Sequence, residues 1–172
     1  PGNQATAIPI QSGQSVSSAT DLIQTYNGLV LLRGRTEAPL YLKDLDEGFL
    51  TLPDPAKETE AIPPATRGIY VGNRLFVVDA RTATRYVDSI WASDIGGVSS
   101  VLQGEDIYQS FKVNQGSSDR LVALCKFNDT TIVAAKERSI YVVSGVSGTN
   151  VQMASTARLD EVTSQYGCIA AG

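Results

Sequence analysis

The stretch from Asp119 to Gly145, DRLVALCKFNDTTIVAAKERSIYVVSG, constrains the fold more than any other part of the sequence. It contains three short apolar runs that are rich in β-branched residues and therefore favour strands. Asn128-Asp129 separates the first two runs and favours a turn, because both side chains can bond back to the local backbone and tolerate left-handed conformations. Lys136-Glu137-Arg138 separates the second run from the third. The stretch predicts an antiparallel β-meander with Lys136-Glu137-Arg138 as an exposed hairpin tip.

Two earlier stretches repeat this pattern. Asn27-Gly28 lies between two apolar runs and predicts a hairpin with a type I′ turn, which needs positive φ at both central positions. Gly72-Asn73 divides GIYVGNRLFVVDA in the same way. In this middle stretch, Arg85-Tyr86-Val87 is the predicted third strand and Ser89 to Ser93 continue outward. Aligned in this way, the second strands begin at Leu29, Leu75 and Ile132, and the third strands centre on Tyr41, Tyr86 and Tyr141.

A repeat of this kind predicts an all-β fold made of antiparallel β-meander repeats. Units of about 40–50 residues with four strands are typical of β-propeller blades. A four-stranded blade cannot bury both of its faces alone, but stacked neighbours bury them. The repeats are therefore interpreted as partial β-propeller blades, and an ordinary meander or sandwich with recurring turns is the alternative. Three units and one further strand do not close a ring of at least four blades, so either the chain is a fragment or other segments complete the ring.

The repeat divides the 172 residues into an arm and a domain. Residues 1–20 are rich in Gly, Gln, Ser and Thr and predict an extended N-terminal arm. Residues 21–172 form the predicted β-propeller-like domain. Its blades are expected at about residues 21–52, 66–102 and 103–157, with the start of another at 161–172.

Composition argues against several classes of function. The chain has 14 Lys and Arg against 18 Asp and Glu, and a net charge of −4 does not suit a protein that holds nucleic acid by its phosphates. It has no histidine, which removes the commonest metal ligand and the commonest general base. Cys125 and Cys168 lie in apolar runs and are expected to be buried small hydrophobic residues. No apolar run is long enough to span a membrane.

Four groups of residues carry what chemistry the sequence offers, and a structural role is the stronger expectation for each. Asp44 to Gly48 has the spacing that begins a calcium loop, but the remaining oxygen ligands are missing, which favours a solvated turn. Asp94 is expected to cap a strand end, and Asp160-Glu161 is a second acidic turn. Trp91 has a ring that could stack on a sugar, but buried packing is expected. No catalytic, cofactor-binding or metal-binding residue is predicted.

The sequence also resembles propeller blades of bacteriophage tail proteins. GIYVGNRLFVVDA followed by SIWASD is similar to a blade in which an Asn-Arg-Leu strand precedes a Trp-x-Ser-Asp strand end. FKVNQGSSDRLVALCKFNDTTIVAAKERSIYVVSG resembles the blade that follows, and DEVTSQYGCIAAG resembles the entry to a further blade. The resemblance covers about residues 62–172.

This resemblance implies a structural virion protein in the tail of a short-tailed phage, where it forms part of a ring or nozzle for DNA passage. It implies a cyclic homo-oligomer, a hexamer in the family pattern, that contacts other tail or adaptor proteins and lets DNA pass without specific binding. The alternative is a receptor- or carbohydrate-binding propeller at the tail tip, with exposed aromatic residues near Trp91, Tyr108 or Tyr166. An enzyme such as a polysaccharide lyase or hydrolase is least favoured, and no cofactor is expected.

Overall fold

The computed structural model has an all-β architecture, and the residues that it describes form no helix. This confirms the predicted all-β, antiparallel fold class. The described residues are 20–26, 28–42, 46, 48–51, 62–79, 88–93, 111–116, 119–147 and 155–159.

Twelve strands in the described part of the chain form three sheets of four strands each. Sheet A contains β1 (Asp21–Thr25), β2 (Gly28–Leu32), β3 (Leu40–Leu42) and β4 (Phe49–Thr51). Sheet B contains β5 (Ala65–Val71), β6 (Arg74–Asp79), β7 (Ser89–Ala92) and β8 (Phe111–Lys112). Sheet C contains β9 (Leu121–Asn128), β10 (Thr131–Lys136), β11 (Ile140–Ser144) and β12 (Ser155–Leu159).

Each sheet is a meander, because its strands lie side by side in chain order and every neighbouring pair is antiparallel. The meander predicted from Asp119 to Gly145 is therefore confirmed as β9, β10 and β11. Its first turn has the predicted chemistry, since the Asn128 side-chain oxygen accepts a hydrogen bond of 2.9 Å from the backbone N–H of Thr130.

The two other predicted turns differ from each other. Gly72 and Asn73 connect β5 to β6, which confirms the predicted division, and both have positive φ values, 56° and 61°. In sheet A, Gly28 pairs with Thr25 and is the first residue of β2, so its predicted place in the turn was wrong, and Asn27 lies outside the described residues. Gly28 is required for another reason: a methyl group on it would lie 2.5 Å from Cε2 of Tyr41.

Sheet B lies between the other two sheets and buries both of its faces. Alternate residues of β6 point to opposite sides, as the two-residue period of a strand requires. Leu75 and Val77 pack in an apolar cluster with sheet A, whereas Phe76 and Val78 pack in a second cluster with sheet C. The first strands are neighbours as well, since β5 contacts β1 on one side and β9 on the other.

The third and fourth strands of sheet B are not where the sequence predicted them. The third strand is β7, in which Trp91 pairs with Val77, so its centre is Trp91 and not Tyr86. A strand in a sheet covered on both faces needs apolar side chains on both sides, and Ile90-Trp91 supplies them. The fourth strand is β8, in which Phe111 pairs with Ile90, so β8 belongs to sheet B. The sequence had placed Phe111 in the third unit, with the rest of residues 103–157.

Some of the predicted segments lie outside the described residues. They are residues 1–19 of the arm, Arg85-Tyr86-Val87 and residues 161–172.

Candidate functional site between the second and third sheets

A polar cluster lies where sheet B meets sheet C, and we call it the Lys136 junction. It contains Lys136, Tyr141 and Asp119 on the side of sheet C, and Asp88 and Asn114 on the side of sheet B. Lys136 and Asp88 are both buried, which is unusual for charged residue types and indicates that they have polar partners.

Lys136 is only 1% exposed, so the prediction that it lies at an exposed tip was wrong. Glu137 and Arg138, the other residues of the predicted tip, are exposed as expected. The difference arises at a register shift, because Ala135 pairs with Ala123 whereas Lys136 pairs with Leu121. A bulge of this kind redirects the next side chain, and here it accompanies a lysine that is directed inward.

Asn114 connects the two sheets through both its backbone and its side chain. Its carbonyl oxygen accepts a hydrogen bond of 3.3 Å from Nζ of Lys136, and its Nδ2 donates one of 2.7 Å to the hydroxyl of Tyr141. Its φ is 53°, a left-handed value that asparagine tolerates better than most residues. The Lys136 ammonium also lies 5.8 Å from the centre of the Tyr141 ring, within the range of a cation–π contact.

Two carboxylates hold the loops beside the lysine. Asp88 is buried, and its Oδ2 accepts a hydrogen bond of 3.1 Å from the N–H of Gly116. Asp119 accepts one of 2.5 Å from the hydroxyl of Ser139 and one of 2.9 Å from the N–H of Arg138. Each carboxylate therefore fixes the backbone or side chain of a neighbouring turn in addition to its effect on the lysine.

The charge of Lys136 is subject to opposing influences. Burial lowers the pKa of Lys136 below its ordinary value, because the charged form loses its hydration. The negative charges of Asp88 and Asp119 act in the opposite direction and offset part of this decrease. The junction thus resembles a buried ion cluster more than a surface salt bridge.

The environment of Lys136 decides between a structural and a chemical role for the amine. A lysine with a lowered pKa beside a phenol and carboxylates has the components of a nucleophilic or general-base lysine. Such a lysine must meet a substrate, but Lys136 is almost completely enclosed and donates to a backbone carbonyl. The geometry favours a polar connection that holds sheet B against sheet C.

A second buried polar contact joins two of the segments that carry the resemblance described above. Arg74, in the Asn-Arg-Leu strand, donates a hydrogen bond to the carbonyl oxygen of Ser93, in the Trp-x-Ser-Asp segment. The hydroxyl oxygen of Ser93 accepts one of 2.9 Å from the N–H of Leu75. The two motifs are adjacent in sheet B and form one local unit.

The turns that connect first and second strands gather at one end of the stacked sheets. A methyl group on Gly72 would lie 3.1 Å from the carbonyl oxygen of Asp129, which places these turns of sheets B and C side by side. Burial raises the pKa of Tyr70, and Tyr26 in the turn of sheet A lies close enough to affect it. Two aromatic side chains are exposed at this end: Tyr26 in the turn of sheet A is 84% exposed, and Phe127 near the end of β9 is 71% exposed.

The other residues singled out in the sequence have mixed outcomes. Trp91 is 7% exposed and packs between sheets A and B, as expected. Cys125 is a free thiol that is only half-buried, so the expectation of full burial was wrong. Asp46 is exposed, and the described residues contain no group of three or more side chains that could hold a metal ion. The following residues that were singled out in the sequence lie outside the described part of the chain: Asp44, Leu45, Glu47, Asp94, Tyr108, Asp160, Glu161, Tyr166 and Cys168.

Sequence reasoning missed the Lys136 junction as a whole. Lys136 ends a strand of otherwise apolar and small residues, and this was the available signal. Its partners Asp88 and Asn114 come from the far end of sheet B, which no local pattern brings together with β10.

Comparisons with known proteins identify no family. No protein-family model matches the chain, and no curated protein sequence matches it either. In the part of the chain that the structure describes, no helix has the length and apolar character needed to cross a membrane.

Proposed function

We propose that the chain is a structural protein of a bacteriophage tail. In this proposal its stacked sheets are blades of a β-propeller, and the assembled protein forms part of a ring or nozzle through which DNA passes. It acts in the virion as a cyclic homo-oligomer, beside other tail or adaptor proteins, and it is not an enzyme.

The stacking of three consecutive meanders is the observation that carries the proposal. Sheet B buries one face against the sheet before it and the other against the sheet after it. The first strands of successive sheets are neighbours, as they are when blades radiate from a common axis. A two-layer β-sandwich would leave one face of each sheet toward solvent, and sheet B does not have such a face.

The Arg74–Ser93 contact supports the link to phage tail blades. Arg74 lies in β6 and Ser93 directly follows β7, and these residues of two segments that carry the resemblance bond to one another. The two segments therefore belong to one packed unit.

Charge supports the proposed passage of DNA. With a net charge of −4, the chain lacks the excess of lysine and arginine that retains duplex DNA through its phosphates. A conduit for DNA needs this property, because strong phosphate contacts would slow movement.

The test combines the mass of the assembled protein with images of it. We expect light scattering to give a mass of several copies, six in the family pattern, and electron microscopy to give rings with a central channel. Duplex DNA should not be retained by the protein at physiological salt. A monomer at high concentration, or tight DNA binding that weakens with added salt, would contradict the proposal.

The exposed aromatic residues favour a second candidate, a receptor- or carbohydrate-binding propeller. Tyr26 and Phe127 lie at the end where the turns gather, and exposed aromatic rings there provide stacking surfaces. This candidate predicts glycan binding that Tyr26→Ala or Phe127→Ala abolishes without loss of folding. If the protein binds no sugar on a glycan array, this second candidate is excluded, and the tail-ring proposal is unaffected.

A further inference from the structure

The outer surface of sheet C is apolar but incompletely buried. Its central residue is Val133, which pairs with Cys125 on one side and Val142 on the other. We call the surface formed by Cys125, Val133, Ile140 and Val142 the open face of sheet C. All four side chains are half-buried, and neither apolar cluster in the described part of the chain includes them.

The register of the sheets identifies the counterparts of this surface. In sheet B the central residue is Phe76, which pairs with Ile69 and Ala92 and packs with them against sheet C. In sheet A it is Val30, whose partner Ile23 packs with it against sheet B. In both cases the sheet that follows in the chain covers the surface. The first strand of that following sheet lies beside the first strand of the sheet before it.

A short segment after β12 continues the pattern of the first strands. In β5, Gly68 faces the preceding sheet and Ile69 faces the following one. In β9, Leu124 packs toward sheet B and the next residue, Cys125, lies on the open face. Residues 166–171, YGCIAA, lie outside the described part of the chain and contain a glycine followed by a cysteine. This order matches the glycine of β5 and the cysteine of β9.

The connection before this segment is long enough to bring it beside β9. The preceding strand, β12, is at the opposite edge of sheet C from β9. Crossing three strand spacings requires about 14 Å, and the six residues 160–165 span up to about 20 Å. Residues 113–120 make the equivalent crossing from β8, the outer strand of sheet B, to β9.

The burial of Ala135 is consistent with the path of this connection. Ala135 lies on the outer side of sheet C and pairs with Ile140, which pairs with Leu159 at the end of β12. It is only 3% exposed, although it belongs to neither apolar cluster of the described residues. A connection that leaves β12 at this row of residues and turns toward β9 passes over Ala135, which accounts for its burial.

We infer that residues 166–171 pack against the open face of sheet C, beside β9, as the first strand of a further blade. The inference rests on the blade arrangement in the proposed function. It assigns the open face to a segment of the same chain, in the way that β5 lies beside β1 and β9 lies beside β5.

The packing of sheet B on sheet A indicates which residues meet. A methyl group on Gly68 would lie 2.6 Å from Cδ1 of Ile23, so these two positions are in direct contact. By register Gly167 takes the place of Gly68, and Cys125 takes the place of Ile23. Gly167 therefore lies on Cys125, whereas Cys168 points away from sheet C, because neighbouring side chains of a strand point to opposite faces.

A thiol that is shifted by one residue tests this register. Gly167→Cys is combined with Cys168→Ser, and the protein is oxidised. We expect an intramolecular disulfide with Cys125, seen as a monomer on a non-reducing gel that has lost both free thiols. The wild type, whose second thiol is at Cys168, should keep both thiols free under the same conditions, because a shift of one residue changes the side of the strand.

A charge on the segment tests the same contact without a cross-link. Gly167→Glu, in a chain that also carries Cys168→Ser, places a carboxylate against the open face. Alkylation of Cys125 by iodoacetamide should become several-fold faster than in Cys168→Ser alone, with an unchanged circular dichroism spectrum. Cys168→Glu is the matched control, because it places the same charge on the side that faces away from sheet C, and it should leave the rate unchanged.

The outcomes separate this inference from the proposed function. If the Gly167→Cys chain forms a ring with a channel but keeps its thiols free, the inference is overturned and the ring proposal stays in place. Disulfide-linked dimers would place the segment on a second copy, and equal alkylation rates in the two glutamate variants would show no contact; either result overturns the inference. An intramolecular disulfide in a protein that remains a monomer without a channel would support the packing on sheet C and contradict the ring.

Discussion

Trp91 and Tyr141 occupy the same position in consecutive sheets. Trp91 is in the third strand of sheet B opposite Val77, and Tyr141 is in the third strand of sheet C opposite Ala134. Each packs against the preceding sheet. Tyr41, which the sequence aligned with Tyr141, faces the following sheet instead, and a large ring at this position recurs only in the later two sheets.

Replacing Trp91 should loosen the packing of sheet A on sheet B. Trp91→Ala removes a nearly buried ring, and we expect the free energy of unfolding to fall by about 3–5 kcal/mol. Urea denaturation followed by circular dichroism measures the change. Tyr26→Ala, at an exposed turn, should alter it by less than about 0.5 kcal/mol. Loss of sugar binding by Trp91→Ala with stability unchanged would contradict this packing role.

Lys136→Met should destabilise the contact between sheets B and C. Methionine has a similar length but cannot donate a hydrogen bond, so the Asn114 carbonyl loses a donor and Asp88 loses a nearby positive charge. We expect a loss of about 1–3 kcal/mol in the free energy of unfolding, measured by urea denaturation. Arg138→Met removes a positive charge at an exposed position and should change little. A Lys136→Met protein as stable as the wild type would show that the junction contributes nothing to stability.

The pKa of Lys136 gives a pH dependence of definite sign. Its pKa in the folded protein lies below the ordinary value of 10.5, so between these two pKa values the unfolded chain binds more protons. The contribution of this residue to the free energy of unfolding therefore increases as pH rises through the folded-state pKa, and it levels off above 10.5.

The comparison with Lys136→Met isolates this effect from other titrations. Denaturation at a series of alkaline pH values should show the wild type gaining stability relative to the variant. The expectation is contradicted if the wild type instead loses stability relative to Lys136→Met as pH rises. That result would mean that the negative charges of Asp88 and Asp119 raise the pKa of Lys136 by more than burial lowers it.

Gly28→Ala should be destabilising because of contact and not because of backbone conformation. The added methyl group would meet the Tyr41 ring and the Leu42 carbonyl oxygen, and we expect a loss of about 1–3 kcal/mol. In a Tyr41→Leu background the ring is absent, so the same substitution should cost less. Thermal unfolding of the four proteins in this cycle measures the coupling. Equal losses in the two backgrounds would exclude the ring as the cause.

The parts of the fold that follow from local chemistry could be predicted from the sequence. Gly72-Asn73 predicted its turn because positive φ is a property of those two residues. The meander from Asp119 to Gly145 followed from apolar runs separated by polar turns. Neither prediction needed any information about distant parts of the chain.

The parts that depend on pairing between distant segments could not be predicted. Tyr86 was chosen for the third strand because tyrosine recurs at the presumed position, but register with β6 selects Trp91. Lys136 was expected at the surface because it belongs to a polar connection between strands. It is buried instead, because the register shifts at this residue and sheet B packs against sheet C. The candidate site was missed for the same reason, since Asp88 and Asn114 meet Lys136 only after the sheets pack.

Electron cryo-microscopy of the purified, assembled chain can show whether the sheets are blades around a channel. We expect closed rings in which four-stranded sheets radiate from a central channel, with β1, β5 and β9 nearest to the axis. Particles in which the three sheets form a compact unit without a channel, or in which β4, β8 and β12 are nearest to the centre, would contradict it.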